Sequence, residues 1–287
     1  MVPAAFDYHV AQSVDEAIAL MQQYGDDAKF LAGGHSLLPT MKLRLAQPTH
    51  LIDLGRIQDL SYIREVGDTV TVGAMTTYIT LQRSDVIKRY FPLLPEGIAE
   101  IGDQQVRNRG TIGGSVAHSD PAADSPGMVL ALKATIVARG PNGARTISAD
   151  NFFLDLFATA LQPGEVITEI RFAKPAAHTG SAYEKLANKA SHYAVVGCAA
   201  VVTLDASGVC TAASVVITGA SVKPTRASAV EAELVGKKLD EATIAAAASH
   251  AADGMEIVSD IHGSKEYRAQ MATVMAKRAI TRAAERA

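Results

Sequence analysis

Two short segments carry the residues best suited to chemistry: Ala32-Gly33-Gly34-His35-Ser36 and Thr111-Ile112-Gly113-Gly114-Ser115. Each couples an adjacent glycine pair to a following hydroxyl. Glycine admits positive φ and lets main-chain N–H groups approach a ligand with no Cβ in the way. Successive exposed N–H groups form an anion nest. A diphosphate carries oxygens on two phosphorus atoms, so two facing nests would cradle it, with Ser36 and Ser115 as added donors. A lone glycine pair is most often just a turn. Neither segment fits GxGxxG, and no P-loop signature occurs, so those two routes to phosphate binding are unsupported.

Other candidates have plainer readings. At His35 the backbone amide matters more than the imidazole. His118 and Asp120 lack further ligands at metal-site spacing, so a loop hydrogen bond is the expectation. Arg107 and Arg109 precede the second glycine turn. They could offset phosphate charge, meet an acidic partner surface, or lie on an ordinary solvated face. Cys198 sits in the apolar run VVGCAAVV, where a buried inert thiol is the default. No Ser-His-Asp arrangement or paired-carboxylate motif emerges.

The elements that must position these residues can be read in outline. Ser13 to Glu16 has the form of a capping box, with Glu16 reaching back to the Ser13 amide and Gly25 closing the helix at positive φ. Residues 29–32 read as a strand running straight into the first glycine pair. Residues 50–53 and the alternating TVTVG at 69–73 read as further strands. Helices are expected over 76–83 and 92–101. The polar, Gly-rich run at 103–127 reads as a loop, or a loop entering a helix, of a length that is more often functional than idle. Strands at 134–139 and 144–148 flank Pro141-Asn142-Gly143, a hairpin signal. A strand follows at 166–172. Composition shifts near 174–180, where a domain boundary is placed. Beyond it, strands at 182–186, 195–204 and 213–218 precede Ala-rich helices at 228–235, 241–252 and 264–284.

The chain has 287 residues, 48% hydrophobic and 20% charged, with formal net charge −3. Such a length admits two domains. No basic block stands out, so a nucleic-acid partner is excluded on electrostatic grounds. The N-terminus lacks the pattern of a secretory signal, and no apolar stretch would span a bilayer. The cytoplasm is therefore the expected location. Two cysteines, Cys198 and Cys210, are too few for an iron–sulfur cluster. Redox chemistry in this chain would need an organic cofactor, with any metal centres in partners.

KFLAGGHSLLPTMKLRLAQP, with HLIDL close behind, and QVRNRGTIGGSVAHSDPAAD resemble the FAD-binding medium subunits of aerobic molybdenum hydroxylases. Within that family they are most similar to the medium subunits of aerobic carbon monoxide dehydrogenases. The resemblance covers nearly the whole chain. It implies an α+β fold: a two-subdomain FAD-binding domain of the vanillyl-alcohol-oxidase (PCMH) type over 1–177, split near 55–60 into two α/β subdomains. A C-terminal α+β lobe over 178–287 would follow, with a small antiparallel sheet plus helices. The resemblance further implies that Ala32, Gly33, Gly34, His35 and Ser36, with Thr111, Ile112, Gly113, Gly114 and Ser115, bind the FAD diphosphate. Ser115 departs from the acid or Asn often found there. Asp124 matches a position contacting the flavin or its ribityl chain. Lys185 matches a basic residue near the isoalloxazine, Leu161 one at the ring edge, and Tyr193 one against a ring face. No catalytic residue and no metal ligand is assigned.

The implied quaternary plan is a large molybdopterin subunit, a small subunit with two [2Fe-2S] clusters and this FAD chain, two heterotrimers pairing. Electrons would pass from the clusters to FAD and on to a quinone or other acceptor, with membrane association, if any, through the complex. Two other readings stand beside it: a self-sufficient FAD oxidoreductase with its own substrate pocket, and a non-enzymatic assembly subunit.

Overall fold

The computed structural model describes residues 2–287. The chain opens with β1 (Asp7–Val10), α1 (Val14–Tyr24), β2 (Ala28–Leu31), α2 (Leu37–Lys42) and β3 (His50–Asp53). The strands form a parallel sheet in the order β1-β3-β2. Parallel neighbours need crossover connections, and α2 lies in the one from β2 to β3. Ser13 caps α1 by accepting from the Glu16 amide at 3.1 Å. The Glu16 carboxylate accepts from the Gln12 amide at 2.7 Å, not from Ser13 as the capping-box reading expects. One residue further back, that amide is equally an orphan of the helix entry. Gly25 closes the helix at φ +55°.

Next come β4 (Ile63–Val66), β5 (Thr69–Gly73) and a run of six helices: α3 (Tyr78–Arg83), α4 (Asp85–Tyr90), α5 (Leu93–Ala99), α6 (Gln104–Arg109), α7 (Ile112–His118) and α8 (Asp124–Ala131). Then follow β6 (Thr135–Gly140), β7 (Gly143–Ser148), the short ribbon β8 (Phe153–Asp155) and β9 (Ala158–Thr159), and β10 (Val166–Ala173). The larger sheet has the order β4-β5-β10-β6-β7 and is antiparallel at every pairing. This second part is thus α+β in its layering, whereas the first alternates strand and helix. The 103–127 run is mostly helical, not a loop. Asp103 caps α6 through the Val106 amide at 2.9 Å, and every residue of α8 is buried. Caps and burial outweigh the poor intrinsic propensity of its Gly, Ser and Pro residues.

The last part holds β11 (Thr179–Ala187), β12 (Ala194–Leu204), β13 (Cys210–Thr218) and β14 (Thr225–Arg226), antiparallel in that order, with α9 (Ser228–Leu234), α10 (Glu241–Ala248) and α11 (Lys265–Ala284). The two-residue β14 was not legible in the sequence. Ala272, Met275, Ala276, Ala279, Ile280 and Ala283 form the buried stripe of α11 at helical spacing. Their small size lets α11 lie close on the sheet. A Cβ at Gly180 of β11 would meet the Ala283 carbonyl at 1.9 Å.

Tyr183, Ala199 and Val216 of this last sheet share one core with Met128, Val129 and the sheet around β10. Helix α8 is the element between them. Among the described residues, no helix is long and apolar enough to cross a membrane.

Candidate functional site

A cavity of about 580 Å³ opens where the three parts meet. Ala32 to Leu37 come from the first part, Tyr78, Thr111, Gly113 to Ser115 and Asp124 from the second, and Ser191 to Tyr193 from the loop before β12. Ala32, Gly33, Gly34, His35, Ser36, Thr111, Gly113, Gly114, Ser115, Asp124, Leu161 and Tyr193 line it together. The Ile112 side chain instead points into the core, only 1% exposed, and Lys185 lies behind the wall.

The two glycine segments touch. A Cβ on Gly33 would fall 2.2 Å from the Arg109 carbonyl oxygen, so only glycine lets the first turn lie against the backbone leading into the second. A Cβ on Gly114 would stand 3.3 Å from that of Ala32. Gly34 adopts φ +76°, in the left-handed region.

Their amides are not equivalent. Among the described residues, the amides of Gly33 through Leu37 donate to no protein acceptor, and regular bonding resumes at Leu38 N to Gly34 O, 3.0 Å. That is a nest of the expected kind. At the second segment, Ile112 N donates to Thr76 O at 3.1 Å and Gly113 N to Ala74 O at 2.9 Å. Gly114 N donates to Thr111 Oγ1 and Ser115 N to Thr111 O, each at 3.1 Å. The second nest expected from sequence is therefore absent among the described residues. The start of α7 docks on the loop after β5, and that loop takes its amides. From Gly113 to Ser115 what this segment can offer the cavity is the Ser115 hydroxyl rather than a row of amides.

Asp124 sits in the first turn of α8, 4% exposed. Its Oδ2 accepts from Lys185 Nζ at 2.8 Å, and its Oδ1 from the Tyr183 phenol. Burial pushes the Asp124 carboxyl up to about 6, against the downward pull of the Lys185 ammonium. Lys185 Nζ also donates to Glu100 O at 2.8 Å, and its side chain is fully buried. Lys185 thus lies behind the cavity wall, and its ammonium is separated from the cavity by Asp124. The strand register explains this, because Lys185 on β11 projects toward α5 and α8.

Leu161 and Tyr193 lie on the cavity wall, with Tyr193 40% exposed. Burial raises the Tyr193 phenol above its ordinary range, and the Ser36 hydroxyl beside it pulls the other way. Asp120 Oδ1 accepts from the Ala122 amide at 2.9 Å, the loop hydrogen bond expected of it. Arg107 Nη1 donates to the carbonyl of Ile101 at 2.9 Å, and also to those of Ala99 and Gly102. It ties down the turn after α5 and is half-buried there, not on a free solvated face. Cys198 is fully buried, and burial pushes its thiol well up, as the apolar run predicts.

Sequence reasoning missed Tyr78, Ser125 and Phe157. Tyr78 OH lies 2.9 Å from Ser125 Oγ, and Ser125 Oγ donates to Ser115 Oγ at 2.8 Å. Phe157 lines the cavity at φ +53°, its ring 5.1 Å from that of His118. Ser125, next to Asp124 in a segment already singled out, was findable. Tyr78 and Phe157 carry no local signal.

Residues 4–175 match the family described as "FAD binding domain in molybdopterin dehydrogenase", and residues 181–283 the "CO dehydrogenase flavoprotein C-terminal domain". The carbon monoxide dehydrogenase medium chain of Hydrogenophaga pseudoflava is 46% identical, over 99% of this chain and 98% of that one. The 6-hydroxypseudooxynicotine dehydrogenase complex subunit alpha of Paenarthrobacter nicotinovorans is 38% identical, over 100% and 97%. Among solved structures, carbon monoxide dehydrogenase from Hydrogenophaga pseudoflava, lacking the Mo-pyranopterin moiety of its molybdenum cofactor, superposes with TM-score 0.97 at 47% identity, covering 100% of both chains. Full-length matches to subunits of assembled dehydrogenases favour a subunit over a self-sufficient enzyme or an inert scaffold. The chain belongs to the FAD-binding medium subunits of the molybdenum hydroxylases, the oxidoreductase family that includes the carbon monoxide dehydrogenase medium chain.

Proposed function

We propose that this chain is the electron-transfer subunit of a carbon monoxide-oxidising molybdenum hydroxylase and holds one FAD in the cavity between its three parts. The observation that supports this most directly is the row of unengaged amides from Gly33 to Leu37 at one wall of that cavity. A diphosphate is rich in acceptors and lacks donors, and such a row is its natural complement. The cavity also offers apolar and aromatic wall at Leu161 and Tyr193 for a ring system. The residues present therefore fit the group.

When bound, FAD supplies a redox centre able to accept and return electrons singly or in pairs. The residues of this chain hold and insulate it. Gly33 to Ser36 would donate to diphosphate oxygens, Thr111 and Ser115 would add hydroxyls, and Ala32, Gly113 and Gly114 would keep that floor free of side-chain bulk. Ile112 serves by anchoring α7 in the core. Asp124 would orient a polar edge of the cofactor, held in place by Lys185 and Tyr183. Leu161 and Tyr193 would cover ring surface and exclude water.

In the complex, a large subunit would oxidise substrate at molybdopterin and a small subunit would relay electrons through [2Fe-2S] clusters. The final acceptor would be a quinone or another carrier, and two heterotrimers would pair. Carbon monoxide is preferred as substrate because the 46% identical relative acts in carbon monoxide dehydrogenase, against 38% for the 6-hydroxypseudooxynicotine enzyme.

Co-expression with the genomic neighbours, purification of the complex and cofactor extraction test this. The expected result is released FAD with copurifying iron–sulfur and molybdopterin subunits, and a visible spectrum that bleaches under carbon monoxide. Bleaching by 6-hydroxypseudooxynicotine but not by carbon monoxide would move the substrate assignment. A colourless chain that purifies alone, with its neighbours present, would overturn the whole reading.

A further inference from the structure

We propose that Tyr78 and Ser125 are positioning residues: a line of hydroxyls running from Tyr78 through Ser125 to Ser115 presents the Ser115 proton to a phosphate oxygen in the cavity. This rests on the reading of the cavity as an FAD site.

The need for such a device comes from the second glycine segment itself. The amides of Ile112, Gly113, Gly114 and Ser115 are all engaged inside the protein, so from Ile112 onward a ligand at that wall meets hydroxyl protons rather than amide protons. An unsupported serine hydroxyl rotates freely and accepts as readily as it donates. Ser115 is not unsupported. Ser125 Oγ donates to Ser115 Oγ at 2.8 Å. Ser125 has a single proton, so its 2.9 Å contact with Tyr78 must be carried by the Tyr78 proton. Three hydroxyls therefore share two internal bonds, and one proton remains, on Ser115. Ser115 lines the cavity.

Burial makes the line directional. Tyr78 is 5% exposed and Ser125 1%, so water does not compete for either. Desolvation holds the Tyr78 phenol up at about 12, and it keeps its proton at any physiological pH. The reverse order, Ser115 to Ser125 to Tyr78, would present a lone pair at Ser115. A phosphate oxygen beside Ser115 disfavours that order, because the ligand has no proton to give. Each hydroxyl that accepts a hydrogen bond also becomes a better donor, so the two inner groups strengthen the outermost one. Neither Tyr78 nor Ser125 need touch the ligand to do this.

The test uses the assembled complex, stripped of flavin and titrated with FAD and separately with riboflavin, which has no phosphate. Ser125→Ala and Tyr78→Phe should each weaken FAD binding by roughly three- to tenfold, the scale of one polarised hydrogen bond to a charged acceptor. Both should leave riboflavin affinity unchanged and shift the phosphorus NMR resonances of bound FAD. Ser125→Thr, which keeps the hydroxyl, should restore affinity and spectrum. In a Ser115→Ala background, Ser125→Ala should do nothing further. FAD affinity and phosphorus resonances at wild-type values in Ser125→Ala would overturn the proposal. So would an equal loss for FAD and riboflavin that persists in the Ser115→Ala background, the mark of a packing role. If the wild-type complex takes up no FAD, the underlying reading fails, and this proposal fails with it.

Discussion

At the Gly33 position a single methyl group decides whether the site can exist. A Cβ there would stand 2.2 Å from a carbonyl oxygen of the neighbouring backbone, which cannot rotate away as a side chain could. Gly33→Ala should cost about 2 kcal/mol of stability through overpacking and lower the FAD content of the purified complex. Full FAD content and an unchanged melting temperature would refute that. Asp124 makes a second prediction at this scale. Its carboxyl titrates near 6 when folded and near 3.8 when free, because burial disfavours the charged form. Between those values the folded state holds a proton that the unfolded state has released, so stability falls as pH rises through the window. The contribution is complete below about 3.8 and gone above about 6. Measured against Asp124→Asn, whose side chain does not titrate, wild-type stability should decline across this window, by about 3 kcal/mol at most. A difference that does not vary with pH would show that the carboxyl titrates alike in the folded and unfolded states, and a rise with pH that Lys185 holds it ionised.

At the scale of elements, α7 and α8 do most to shape the cavity. Thr111 caps α7 through the Gly114 amide and is also part of the wall. Thr111→Ala should cost about 1 kcal/mol by leaving that amide unpaired, and Thr111→Ser should recover most of it. Thermal melts of the complex would distinguish the two. Helix α8 lies so close to β13 that a Cβ on Gly127 would meet Thr218 Cγ2 at 2.1 Å. Gly127→Val should push helix and sheet apart, with a loss of about 2–3 kcal/mol. Because Asp124 is on the same helix, FAD retention should fall as well. Unaltered retention would mean that α8 tolerates the shift without moving the site.

Across the whole molecule, Arg226 links the C-terminal lobe to the FAD-binding part. It donates to Asp150 Oδ1 at 2.7 Å and to Leu130 O at 3.1 Å on one side, and to Ser214 Oγ and Glu231 Oε1 on its own. Removing it would leave the largely buried Glu231 without its cation, the costly way to break such a network. Arg226→Met should lower stability by about 2–4 kcal/mol and let the lobes melt in separate steps. A single transition at the wild-type temperature would argue that the shared core between α8, β12 and β13 suffices alone. The cavity draws walls from both lobes, so a loosened junction should also raise the rate at which FAD is lost.

The sequence by itself determined the features that depend on neighbours along the chain. The α1 cap, the closing Gly25, the hairpin around Asn142, the three long strands of the C-terminal lobe and the α11 stripe all follow from local period and turn chemistry. The two glycine segments were legible because only glycine admits such close backbone approach and positive φ. Their unequal roles were not. Whether an amide at Gly113 or Gly34 is free depends on which distant loop docks beside it, and the loop after β5 was invisible from position 113. The helices at 103–127 were hidden for the same reason, since burial stabilises them against their composition. Tertiary structure alone decided that Lys185 lies behind Asp124 and that Tyr78, 47 residues away in sequence, stands beside Ser125. Hydrogen bonds are made between atoms a few ångströms apart in space, and only the assembled fold sets which atoms those are.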